Sequence, residues 1–293
     1  MKALAQFAMK GRKQAFFLAT LFALIPFLGW IGSALMGLVT LRKGPREGFL
    51  LLLGLSLADL FYLYFGGIGM GYVLYDSLTN NIPTFLAALY LRRVACWNNL
   101  LEMLTYLGLA LILLLHLAIP DLTHWWGLQI AKLSQHLTDL TSSQLNTQIA
   151  QHAAPYATGL QAVVVISTLL FNLIIARYMQ ASIYHPGGLK EELYHIHLPK
   201  RLAFTLIVIT LLPWLHIETA KDLIPLIVFP FACAGLSLFY DFCSKRTRGW
   251  AWLISFYALL LLALPYVCLI LITVGLLDTF YNLRLYLKTN KQN

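Results

Sequence analysis

Charge is what this sequence has least of. Asp, Glu, Lys and Arg make up 11% of its 293 residues, against 59% hydrophobic residues. A soluble domain carries about one charged residue in four, so an ordinary water-facing surface is excluded. Uncharged apolar runs of about 18 residues or more recur along the chain, the length needed to cross a hydrocarbon core about 30 Å thick. Only helices and closed barrels satisfy their backbone in such a core. The runs are continuous rather than alternating, so the fold class is all-α, a polytopic membrane bundle. Its length suits a single membrane domain over residues 1–293 and leaves little for a separate soluble one.

Other absences narrow the function. The sequence has no Walker loop, HExxH, GxSxG elbow or aspartate-rich diphosphate motif, so no enzyme class is indicated and no cofactor is expected. Its four cysteines, Cys96, Cys233, Cys243 and Cys268, lie in or beside apolar segments without metal-ligand spacing, and read as buried thiols. The net charge of +9 comes from short cationic clusters beside apolar runs. Without a basic stripe or interleaved aromatics on a soluble face, nucleic acid is not an expected partner.

Those clusters report topology. Residues 15–41 contain no charge, yet Lys10, Arg12 and Lys13 precede them and Arg42, Lys43 and Arg46 follow. If 15–41 is a hairpin turning near Pro26, Gly29 and Gly32, and 250–283 is another turning near Pro265, then 19 of the 21 Lys and Arg fall on one side. Only Lys132 and Lys221 lie opposite. A single crossing by 15–41 lowers the best split to 15 against 6. Positive charge near helix ends is retained in the cytoplasm, so the hairpin is the better solution. The alternative is one long, tilted, proline-kinked helix.

Residues 48–67 then cross outward, a weaker segment returns over 75–91, and 96–119 cross outward again. Residues 120–155 form an extracytoplasmic helical insertion, 157–178 return, and 178–201 form a cytoplasmic amphipathic loop. Segments 202–215 and 223–242 pair around HIETAKD. The count is ten hydrophobic helical segments in a multi-pass membrane protein with both termini cytoplasmic. The first segment is too long for a signal core and reads as retained. Residues 1–14, with Leu4, Phe7 and Ala8 among cations, suit an interfacial helix.

In the insertion, Trp126, Ile130, Leu133, Leu137 and Leu140 form an apolar stripe with spacings of 4, 3, 4 and 3. A cap over the bundle is preferred to a partner helix. His124, His136 and His152 are too irregularly spaced for a local metal motif. In the cytoplasmic loop, Pro186-Gly187-Gly188 marks a turn. Leu189, Leu193 and Ile196 then share one helical face, and Glu191 and His195 the other. Glu191, His195 and His197 offer a metal or proton site, but a solvated amphipathic helix is the favoured reading.

Ionisable groups within membrane segments are costly unless paired, protonated or hydrated, and each is a site hypothesis. Four polar stripes stand out. Ser56, Asp59 and Tyr62 form one, with Asp59 near the midplane. Asn98, Glu102 and Thr105 form a second; Gln161, Thr168 and Asn172 a third; Asp278 and Asn282 a fourth. The Gln, Asn and Thr residues suit interhelical hydrogen bonding. Asp59 and Glu102 favour a cavity, because such bonding does not require an ionisable group. Asp241, one turn from Lys245, is assigned no function.

Three segments carry a family resemblance: VTLRKGPREG, ARYMQASIYHPGGLKEEL and GLLDTFYNLR. With the order of helices, they resemble the YybS-like family of uncharacterised bacterial inner-membrane proteins over nearly the whole chain. Arg177, Gln180, Pro186, Gly187, Gly188, Gly275, Asp278, Asn282 and Arg284 match that pattern. The family is distantly similar to the membrane-embedded S components of energy-coupling-factor transporters, which implies an S-component-like core. Those proteins dock a coupling subunit through small residues on the first helix, and Ala15, Ala19 and Ala23 have that spacing. The extra helices and outer insertion depart from the compact S-component pattern.

Transport-related small-molecule binding in a polar intramembrane cavity ranks first. A membrane scaffold acting through the insertion and cytoplasmic loop ranks second, and an enzyme third. The expected partners are the lipid bilayer, a small-molecule ligand and a membrane protein.

Overall fold

The computed structural model describes residues 1–25, 27–67, 69–137, 152–217, 219–246 and 248–284, without the side chains of 133–137. The described residues are helical throughout, with no strand. Five helical runs are long and apolar enough to cross a membrane: Pro45–Phe65, Trp97–Ala118, Ala154–Tyr184, Thr219–Ser244 and Leu264–Tyr281. Gly249–Leu262 is a shorter apolar helix. The expected ten also counted both halves of 15–41, the weak segment 75–91, the segment 202–215 and the first half of 250–283, none of which is among these five runs. The chain divides into two compact units, residues 1–100 with 165–193, and residues 101–164 with 194–293.

The first unit begins with α1 (Lys2–Lys10) and α2 (Arg12–Ala23), followed by α3 (Gly29–Lys43). The uncharged run therefore breaks into two helices around residues 24–28, where the hairpin was expected to turn. Lipid is as apolar as leucine, so helices in a bilayer associate through close packing of small residues. Ala15 and Ala19 are fully buried inside this unit. At Gly32 of α3, a side chain would stand 2.8 Å from the Ala19 carbonyl oxygen and 2.9 Å from Leu55. Ala23 is half-buried at the end of the same face. The alanine face thus packs within its own chain.

The turn in LRKGPREG has a conformational cause. Gly44 has φ +111°, in the left-handed region that favours glycine, and Pro45 opens α4 (Pro45–Phe65) where no amide proton is needed. Arg92 donates to the Thr40 carbonyl at 3.1 Å, placing a cation at the C-terminal end of α3. On α4, Leu51, Leu55 and Ala58 are buried, whereas Leu53, Leu57 and Leu60 are exposed, which in a membrane means facing lipid.

Helix continues from 70 to 94 as α5 (Met70–Asp76), a π-helical turn (Ser77–Asn81) and α6 (Ile82–Val94). The unit also takes the first turn of α7 (Trp97–Ala118), most of α9 (Ala157–Tyr184), and α10 (Gly188–Tyr194). Two sequence boundaries are corrected here. α9 extends to Tyr184, so 178–184 is helix rather than loop. α10 ends at Tyr194, so His195 and Ile196 lie beyond it. The stop coincides with Arg284, which donates to the carbonyls of Tyr194 and Ile196 and leaves these acceptors without need of a further turn.

The second unit contains the rest of α7, α8 (Leu122–Leu137), the start of α9, α11 (Lys200–Leu211), α12 (Thr219–Ser244), α13 (Gly249–Leu262) and α14 (Leu264–Tyr281). Its tightest pair is α12 with α14. A side chain at Gly235 would collide with the Leu271 carbonyl, and one at Gly275 with the Phe231 carbonyl, so the backbones approach as only glycine allows. None of α13 is buried, and Trp250, Trp252 and Ile254 are exposed along it. Such a face suits lipid, not water. Of the expected stripe on the insertion, Trp126 donates to Thr158 at 2.9 Å. Leu140 and the side chains of Leu133 and Leu137 lie outside the described residues.

Candidate functional site: an acidic cavity in the first unit

A cavity of about 480 Å³ opens in the first unit, within the range of small-molecule sites. It lies between the end of α2, the α2–α3 turn, the C-terminal half of α4, and the α5–π turn. Asp59, Tyr62, Trp30, Tyr72 and Asp76 line it, with Ser33, Asn80 and Asn81. Asp59 stands 14 residues past Pro45, about 21 Å along a helix rising 1.5 Å per residue.

The π-helical turn explains why the polar groups converge. An extra residue per turn rotates the following side chains, and such turns occur often at functional sites. Here it brings Asp76, Ser77, Asn80 and Asn81 to the α4 face that carries Asp59. Ser77 donates to Asp59 Oδ2 at 3.0 Å. The buried Asn81 amide donates to Asp59 Oδ2 at 3.3 Å and to Asp76 Oδ2 at 3.1 Å, so one neutral group holds both carboxylates. Its oxygen accepts from Ser33 at 3.0 Å. Asn80 makes longer contacts, 3.5 Å to Asp76 Oδ1 and 3.5 Å to Ser33, and its oxygen accepts from Asn172 at 2.9 Å. Asn172 also reaches Thr84 at 3.4 Å. The Asn172 Oδ1 atom is buried without a partner.

Neither Asp59 nor Asp76 forms an ion pair among the described residues. Tyr62 donates to the Leu24 carbonyl at 2.7 Å, fixing its ring at the cavity wall and satisfying an acceptor at the end of α2. Trp30 packs against Phe171 with ring centroids 5.6 Å apart.

The sequence stripes fare differently. Asp59 and Tyr62 line the cavity, and Asn172 joins its hydrogen-bond network. Ser56 does not line it; its hydroxyl donates to the Leu52 carbonyl on its own helix at 3.1 Å. Glu102 does not line it either. It is buried and paired with Arg201 of α11, one contact being 2.5 Å, because a cation 99 residues away reaches it. Asn98 and Gln161 are half-buried on α7 and α9, outside the cavity lining.

Asp278 is buried in the second unit against Arg284 at 3.0 Å and faces His197 at 3.4 Å. Asn282 occupies the left-handed C-terminal cap of α14, with φ 52°, and aims the chain so that Arg284 turns back. These two residues build a joint between α14 and the segment after α10. They do not form a ligand stripe.

The segment around α10 is organised by a glutamate that the sequence reading passed over. Arg177 grips Glu192 with Nε at 3.0 Å and Nη2 at 2.5 Å, while donating to Gln180 at 2.9 Å. Trp97 donates to the same Glu192 at 3.0 Å. Burial disfavours the charged carboxylate of Glu192. The hydrogen bonds from Arg177 and Trp97, with the Arg177 charge, outweigh that and hold its pKa below the ordinary carboxylate value. Gly187, with φ 93°, makes the turn after Pro186 that returns α10, beginning at Gly188, towards α9.

Asp76, Asn80, Asn81 and Ser33 were also missed. For Asp76, Asn80 and Asn81 the signal was DSLTNN, five polar or acidic residues in six inside a segment expected to return through the membrane. Comparison with protein-family models, curated proteins and solved structures finds no match.

Proposed function

We propose that this is a membrane protein that binds a small molecule in the Asp59–Asp76 cavity as part of transport or uptake. One observation carries the reading: two carboxylates share a single neutral amide beside an open cavity, with no cation paired to either among the described residues. A carboxylate in a membrane helix that served only packing would be expected to meet Lys or Arg, as Glu102 and Asp278 do. With both termini cytoplasmic, as the distribution of Lys and Arg requires, α4 runs outward. The cavity then sits towards the outer end of α4, open to solutes outside, while the basic LRKGPREG turn faces the cytoplasm. The kinship with S components suggested by the sequence motifs fits a receptor of this kind, working with a separate energising subunit. The internal use of Ala15 and Ala19 means that such a subunit would dock elsewhere.

Native mass spectrometry of the protein extracted with its lipids tests the reading. The expected result is one small molecule retained per chain, lost in Asp59→Asn and in Leu55→Trp, which fills the cavity floor. Bare chains in every preparation, with identical growth of cells carrying Asp59→Asn, would contradict it.

A further inference from the structure

The shape and charge of the cavity define a class of ligand, an inference that rests on the binding role proposed above. We propose that the cavity selects an organic cation, an ammonium head on a compact apolar or aromatic body.

Three properties support this choice. The first is charge. Asp59 and Asp76 are both held by Asn81, and no Lys, Arg or His pairs with either among the described residues. Asp59 Oδ1 accepts no hydrogen bond from them, although Oδ2 accepts two. An anion entering the cavity would meet repulsion, and a neutral solute would leave the charge uncompensated. An ammonium supplies several donors and a positive charge together.

The second is the orientation of the amides. Asn80 and Asn81 turn their N–H groups to the carboxylates, and their oxygens are engaged by Asn172 and Ser33. A hard metal ion needs about six oxygen ligands. This site leaves it the two carboxylates, and no group of three or more His, Cys, Asp or Glu gathers among the described residues. An ammonium does not need those carbonyl oxygens, because it is bound by acceptors and by ring faces.

The third is the wall. Phe27, Trp30, Tyr62 and Tyr72 contribute aromatic rings to the same cavity. Ring faces attract cations, most strongly where water is thin, and also cover an apolar body. Trp30 is steadied by Phe171 and Tyr62 by the Leu24 carbonyl, so these two rings are positioned before a ligand arrives.

Isothermal titration of the full chain in lipid nanodiscs, at pH 7.5 and low salt, separates the alternatives. The probes are phenethylammonium, its neutral analogue 2-phenylethanol and the anionic 3-phenylpropionate. Phenethylammonium should bind with one site per chain, at least tenfold more tightly than either analogue. Asp59→Asn and Asp76→Asn should each weaken it at least tenfold. Tyr72→Leu should weaken it several-fold, and Ser56→Ala, outside the cavity, should leave it unchanged.

Equal or tighter binding of the neutral or anionic probe, sensitive to Asp59→Asn, would overturn the cation assignment while preserving the cavity's role. Calcium or magnesium binding that displaces phenethylammonium at stoichiometric metal would overturn it in favour of a metal site. No binding by any probe at millimolar concentration, with no retained molecule in native mass spectrometry, would overturn both proposals. The wild-type comparison does not depend on any variant folding.

Discussion

Asp278 and Asp59 both sit on apolar helices, and the chain treats them in opposite ways. Asp278 is buried and meets Arg284, itself buried, whose remaining donors take the Ile196 carbonyl and Ser237. Asp59 is half-buried beside a cavity and meets a serine, an asparagine and a second aspartate's surroundings. One carboxylate is tied to a buried cation through its Oδ2 atom. The other is positioned by neutral groups that leave its charge available. The difference teaches that an acidic residue in a membrane segment is not by itself a site; its partner decides.

Arg284→Leu attacks the first region and should have the largest effect. It leaves Asp278 buried without its cation and frees two backbone carbonyls, at a cost of about 3–5 kcal/mol. Denaturant titration in mixed micelles should show the loss, and the double variant Arg284→Leu with Asp278→Leu should recover part of it. Gly275→Val tests the backbone approach of α12 and α14. It forces a side chain against the Phe231 carbonyl and should cost about 1–3 kcal/mol by the same titration.

A smaller effect is expected at Glu192. Its carboxyl is held below the ordinary value when folded, so the stability it contributes is complete above the unfolded value and lost as pH falls through the folded one. Acidification through the carboxylate range should therefore loosen α10, seen as faster hydrogen exchange over 188–194, and Glu192→Gln should remove that dependence. Smallest of all is the predicted stability change for Asp59→Asn, within about 1 kcal/mol, because no ion pair is broken and its donors keep an acceptor. A loss as large as that of Arg284→Leu would erase the contrast between the two regions.

Much of the helix order was legible because prolines, glycines and cation clusters punctuate continuous apolar runs. The break between α2 and α3 and the turn at Gly44 follow from local chain stiffness and φ preferences. Asp59 was legible because a lone carboxylate in a strong apolar segment carries a visible energetic cost. The partner of Glu102 was not, since Arg201 is distant in sequence and only packing brings them together. Asp76, Asn80 and Asn81 were hidden for a different reason. Their segment is weakly apolar, and the π-helical turn that aligns them has no simple spacing pattern. DSLTNN read as a poor span because its polar residues lower the hydropathy of the segment, and nothing in its spacing names Asp59 as their partner.

The central claim is that Asp59 faces a hydrated, negatively charged cavity built to receive a ligand. The most direct measurement places a single cysteine at position 59 in a chain freed of its four native cysteines, with Leu35→Cys, fully buried in the same unit, as the reference. Charged methanethiosulfonate reagents then report access and potential together. The account predicts that Asp59→Cys reacts at least a hundredfold faster than Leu35→Cys. It also predicts that the cationic reagent outpaces the anionic one about tenfold, a preference that disappears when Asp76→Asn is added, because the field at a site depends on nearby uncompensated charge. Reaction at position 59 as slow as at position 35, or an equal rate for both reagents, would contradict it.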